Sequence, residues 1–105
     1  MSRRPSAPAD LGLAGRKLWL SITAHYQIQR HHEALLLQAA RCADTAEEAQ
    51  ARLAAEGLTI TNHRGEVKAH PLLAVQRDSQ RVLGYTLRVL GVRDEEPGRN
   101  RRKEL

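Results

Sequence analysis

The chain has 105 residues, of which 41% are hydrophobic, 28% charged and 3% aromatic, with no Phe and a formal net charge of +5. This is one domain at most, and with so little aromatic bulk a lone copy buries little apolar surface, so oligomerisation is the expected source of stability. A single cysteine excludes an intrachain disulfide, and no apolar run approaches the roughly 20 residues of a membrane span or forms a leader segment; a soluble protein in a reducing compartment is expected.

Residues 1–10, MSRRPSAPAD, are rich in Ser, Pro and Ala without periodicity and read as a disordered basic arm. A helix is expected from about Leu13, capped by Asp10 or Gly12. Leu18, Trp19, Ile22 and Tyr26 lie on one of its faces and supply most of the aromatic bulk, as core rather than as a ligand platform. Ile28 to His32 contains no Gly, Pro, Ser or Asp to stop this helix, so a continuous bent rod stands as an alternative. Compactness favours a turn there, because two antiparallel helices cover each other's apolar faces.

His31 to Glu56 has no Gly or Pro and reads as one long helix. Leu35, Ala39, Cys42, Ala46, Ala49 and Leu53 recur at steps of 4, 3, 4, 3 and 4, a narrow apolar seam. Its small residues admit a very close partner helix, and the seam is assigned to an oligomer interface. Cys42 is then a small buried hydrophobe rather than a reactive thiol. Asp44, Thr45, Glu47 and Glu48 read as an exposed polar turn of the same helix, or alternatively as the cap of a new one.

Gly57 ends the long helix. Leu58 and Ile60 then alternate with Thr59 and Thr61, Asn62 to Gly65 form a loop, and Val67 and Ala69 alternate with polar residues, which predicts a short β-hairpin. A two-stranded ribbon is marginal alone, so it must lie on the helices or pair with a neighbouring copy. Ile60 and Val67 therefore join the expected interface. Pro71 opens a third helix with Leu72, Val75, Val82, Leu83, Leu87 and Leu90 on its apolar side and Gly91 at its end. Gly84 inside it predicts close contact with another backbone. Residues 93–105 read as a disordered basic tail. The expected architecture is mainly α: an antiparallel helical hairpin, a β-hairpin and a third helix, over residues 11–92.

Catalytic chemistry is not expected. His31 and His32 are adjacent and point different ways on a helix, and His25 has no i, i+4 partner, so no metal site is assigned. A ββα nuclease would need a His or Asn on the helix after the hairpin, and residues 71–91 contain neither. Phosphate loops and Ser/His/Asp arrangements are missing, and no cofactor is expected.

The charge is concentrated at the two ends. Residues 1–30 hold five basic and one acidic side chain, residues 31–96 eight and ten, and residues 97–105 four and one. Basic ends on a near-neutral body suggest arms that touch a polyanion. Arg3, Arg4, Arg16 and Lys17 at one end, and Arg99, Arg101, Arg102 and Lys103 at the other, are the candidate DNA contacts. A helical adaptor that docks a larger enzyme without binding nucleic acid is the competing reading.

The order of features carries a resemblance. A first helix with Trp19, an Ala-rich helix ending RLAAEG, the hairpin LTITNHRGEVKAH and a third helix opening HPLL and closing LRVLGV resemble the small subunit of phage terminases, in its short helical family. The resemblance covers about residues 11–92 and is most specific from Gly57 to Leu73. It implies a non-enzymatic DNA-recognition and regulatory subunit that forms rings, engages viral double-stranded DNA and presents it to the large ATPase and nuclease subunit. The implied setting is the cytoplasm of the infected bacterial host. His31 and His32 stand where that family has an acidic or small polar helix start.

Overall fold

The computed structural model describes residues 5–92 and the backbone of Lys103 and Glu104. Three helices dominate it: α1 (Leu13–His25), α2 (Glu33–Glu56) and α3 (Leu72–Leu90). Between α1 and α2 the chain runs through the two-residue strand β1 (Tyr26–Gln27) and a 3-10 turn at Arg30–His32, so the rod alternative is excluded and the long helix starts two residues later than His31. An antiparallel hairpin, β2 (Thr59–Thr61) with β3 (Val67–Ala69), joins α2 to α3; Ile60 pairs with Lys68. The backbone of β4 (Lys103–Glu104) pairs in parallel with β1, and the rest of the tail expected from residue 93 lies outside the described residues.

Helix α2 is the spine, about 36 Å long at 1.5 Å per residue, and it carries two apolar faces. One holds Leu36 and Ala40, both fully buried, and receives Trp19 and Ile22 of α1, with Leu11, Tyr26 and Leu90 completing the cluster. The other is the Ala39, Ala46, Ala49 and Leu53 seam, and the chain's own α3 lies antiparallel along it. The alanines let those two backbones approach closely. The Trp19 stripe thus packs on Leu36 and Ala40 and leaves the alanine seam to α3, whereas periodicity alone pairs the stripe with that seam.

Two buried threonine hydroxyls are satisfied within the bundle. The Thr23 hydroxyl donates to the Trp19 carbonyl at 2.9 Å. The Thr86 hydroxyl donates to the Val82 carbonyl at 2.8 Å and accepts from Gln38 Nε2 at 3.0 Å, tying α3 to α2. At the end of α3, Gly91 takes the left-handed conformation, and its N–H and that of Val92 donate to the carbonyls of Arg88 and Leu87, a Schellman closure.

The N-terminal segment belongs to the folded body from residue 5 on, which corrects its reading as a free arm. Trp19 Nε1 donates to the Pro5 carbonyl at 3.0 Å, Ala7 packs on the core and Leu11 is buried within it. An indole N–H in a core needs an acceptor, and the Pro-rich segment supplies one that has no competing helical role. Residues 1–4 lie outside the described residues.

Candidate nucleic-acid and partner-binding surfaces

The hairpin stands off the helices. All six of its strand residues are exposed, and Leu58, Ile60 and Val67 are 61%, 38% and 68% accessible. Its tip is shaped by Asn62, whose side-chain oxygen accepts from the N–H groups of Arg64 and Glu66 at 2.9 and 3.0 Å, while Gly65 N–H donates to the Asn62 carbonyl.

Its base is clamped by His70. The His70 N–H donates to the Leu58 carbonyl at 2.8 Å, and the buried ring bridges two helices. Nδ1 accepts from Leu72 N–H at 3.1 Å, so the ring proton sits on Nε2, which donates to Glu56 Oε1 at 3.0 Å. The imidazole therefore serves as the side-chain cap of α3 and anchors the end of α2, which explains why His precedes Pro71 here. Hydrogen bonds from His70 and Arg52 hold the Glu56 carboxyl below the usual range for glutamate.

The expected interface residues divide. Ala39, Ala46, Ala49 and Leu53 are buried by the chain's own helices, which corrects their assignment to a subunit interface: a neighbour reaches them only by displacing α3. Leu35 and Cys42 are half-buried, and burial pushes the Cys42 thiol up, consistent with a packing role. Ile60 and Val67 remain open to a partner.

The expected DNA contacts divide as well. Lys17 is exposed on α1, between Leu13 and Leu20, which are 85% and 55% accessible. Arg16 is half-buried and reaches back to the Pro8 carbonyl at 3.4 Å, so it is partly committed to the fold. Arg3, Arg4, Arg99, Arg101, Arg102 and the side chain of Lys103 lie outside the described residues.

Helix α3 brings together a set that the charge count concealed. Arg77, Arg81, Gly84, Tyr85 and Arg88 fall at offsets of 0, 4, 7, 8 and 11, one side of a helix, and all five are exposed. Along its edge run Val75, Val82 and Val89, 39%, 40% and 48% accessible. Residues 31–96 are net acidic, so the arginines vanish in a block sum; a helical projection of α3 alone is the signal that finds them. Among the described residues no group of three His, Cys, Asp or Glu could hold a metal, and no helix is long and apolar enough to cross a membrane. The chain matches no protein-family model, no curated protein and no solved structure.

Proposed function

We propose that the chain is a non-catalytic DNA-contacting subunit that acts as an oligomer, in the manner of a phage terminase small subunit serving a large ATPase and nuclease partner in the infected bacterial host. The observation that carries the reading is the hairpin. It projects from the bundle with Leu58, Ile60 and Val67 open to solvent, and its base is held rigidly by His70. An isolated ribbon with apolar side chains in water is marginal, whereas the same ribbon laid on a neighbouring copy gains both pairing and burial. The succession of His70, Pro71, Leu72 and Leu73 after the ribbon, which carries the family resemblance, sits in this same clamp.

Charge supports the DNA half of the reading. Four basic residues lie in the last nine positions and two in the first four, and repeated copies multiply weak phosphate contacts through avidity. Light scattering on the purified protein tests assembly, and gel-shift titration across a salt series tests DNA contact. Oligomers that bind duplex DNA with steep salt dependence are expected. A monomer at micromolar concentration contradicts the assembly, and failure to bind at low salt favours the adaptor reading, in which the exposed Val75, Val82 and Val89 edge docks a larger enzyme.

A further inference from the structure

We infer that the exposed face of α3 formed by Arg77, Arg81, Gly84, Tyr85 and Arg88 is a phosphate-contacting surface for duplex DNA, separate from the basic ends of the chain. The inference rests on the reading of the chain as a DNA-contacting subunit and names where on the folded body that contact occurs.

Three observations point to it. First, the face runs about 16 Å along the helix and carries three exposed guanidinium groups. Arg81 and Arg88 have no carboxylate partner among the described residues, while Arg77 makes only a 3.4 Å contact to Asp78 between side chains 66% and 59% accessible. Asp78, on the margin of the face, is the only acidic residue of α3, so the surface is net positive although residues 31–96 are not. Guanidinium forks suit phosphate oxygens, and each neutralised phosphate releases a condensed counterion.

Second, Gly84 has no reason to be glycine inside this chain. It sits in the interior of a helix, where Gly is the poorest former after Pro, and a Cβ built on it meets nothing within 4 Å. Gly15 offers the contrast: its missing Cβ would lie 2.5 Å from the Ala40 carbonyl, so packing within the subunit demands it. No neighbour inside the subunit requires the missing Cβ at Gly84, so the position is open to a surface from outside, and it lies among the arginines.

Third, Tyr85 is 60% accessible between Arg81 and Arg88. An aromatic ring flanked by guanidinium groups offers a flat apolar surface to a deoxyribose beside the phosphates, which a merely solvated charged face does not need. An acidic protein would meet the same charge, and unchanged duplex binding by the α3 variant is the outcome that would favour it.

The test uses the full chain and fluorescence anisotropy on a labelled duplex over a series of salt concentrations. R81Q with R88Q is expected to weaken binding about tenfold and to reduce the slope of log affinity against log salt by about 2, one for each phosphate that is no longer neutralised. G84A is expected to raise the melting temperature by about 4 °C, because Ala is the better helix former, and at the same time to weaken binding at least threefold. A merely structural Gly84 would not separate those two readouts. Unchanged affinity and slope in R81Q with R88Q overturn the inference. If the R99Q, R101Q, R102Q and K103Q combination alone removes the salt dependence while the α3 variant binds normally, the α3 surface fails and the DNA reading stands. No binding by the intact chain at low salt overturns both.

Discussion

The carboxylate of Asp44, midway along α2, caps α1 across the bundle, accepting from the N–H groups of Gly12 and Gly15 at 2.8 and 2.7 Å. Helix α1 has no side-chain cap of its own. The acidic group therefore satisfies two otherwise orphaned donors and meets the positive end of the helix dipole. Asp44→Ala is expected to destabilise by about 2 kcal/mol, with Asp44→Asn losing less because its amide oxygen still accepts one bond. Gly15→Ala is expected to be worse than a surface change, since the added methyl meets the Ala40 carbonyl and the Asp44 carboxylate. Urea melts of the three variants check the order.

The His70 clamp gives a pH dependence of known sign. Glu56 accepts from His70 and Arg52, which lowers its carboxyl pKa, so the folded state favours the ionised form. That stabilisation is complete above the ordinary glutamate pKa and is lost as pH falls through the lowered one. The melting temperature should therefore fall on acidification below the ordinary glutamate range, and Glu56→Gln, with no charge to lose, should fall less over the same interval. His70→Ala removes the acceptor for Leu72 N–H and should cost about 1 kcal/mol at neutral pH. Parallel slopes for wild type and Glu56→Gln would show that the bridge is not formed.

These two contacts also mark where reading from sequence ends. The three helices and the hairpin follow from apolar spacing, Gly57 and Gly91, and Pro71, because those signals act within one turn or one strand. The Asp44 cap joins residues 29 and 32 apart along the chain, so Asp44 in sequence is one member of a polar cluster with Thr45, Glu47 and Glu48. The alanine seam was legible as a place where another helix comes close. Which helix fills it is a tertiary choice, and α3 takes it because the two-faced α2 can hold α1 and α3 at once. The α3 arginines were hidden by summing charge over a stretch that also holds the acidic faces of α2.

The seam assignment has its own test. Ala46 is buried on the side of α2 that α3 covers, and a carboxylate there would be desolvated. Ala46→Glu is expected to destabilise the single subunit by about 3 kcal/mol through the burial of that charge. The neighbouring Ala51→Glu, on the exposed side of α2, should change stability by less than about 0.5 kcal/mol. Circular dichroism melts at a dilution where assembly is absent distinguish loss of the fold from loss of an interface: a normal melt for Ala46→Glu would return the seam to the subunit boundary.

The hairpin behaves in the opposite way, because the subunit itself leaves its apolar side chains open to water. Ile60→Lys with Val67→Lys places two charges at exposed positions, so the melt of the isolated subunit should shift by less than about 0.5 kcal/mol per site. The same charges would be desolvated wherever the ribbon lies against another copy. Light scattering should then report a fall in mass toward that of one chain, 11.8 kDa, with circular dichroism unchanged. A mass equal to that of the wild-type assembly would mean that the ribbon faces solvent in the oligomer, and subunit contact would then fall to the Val75, Val82 and Val89 edge of α3.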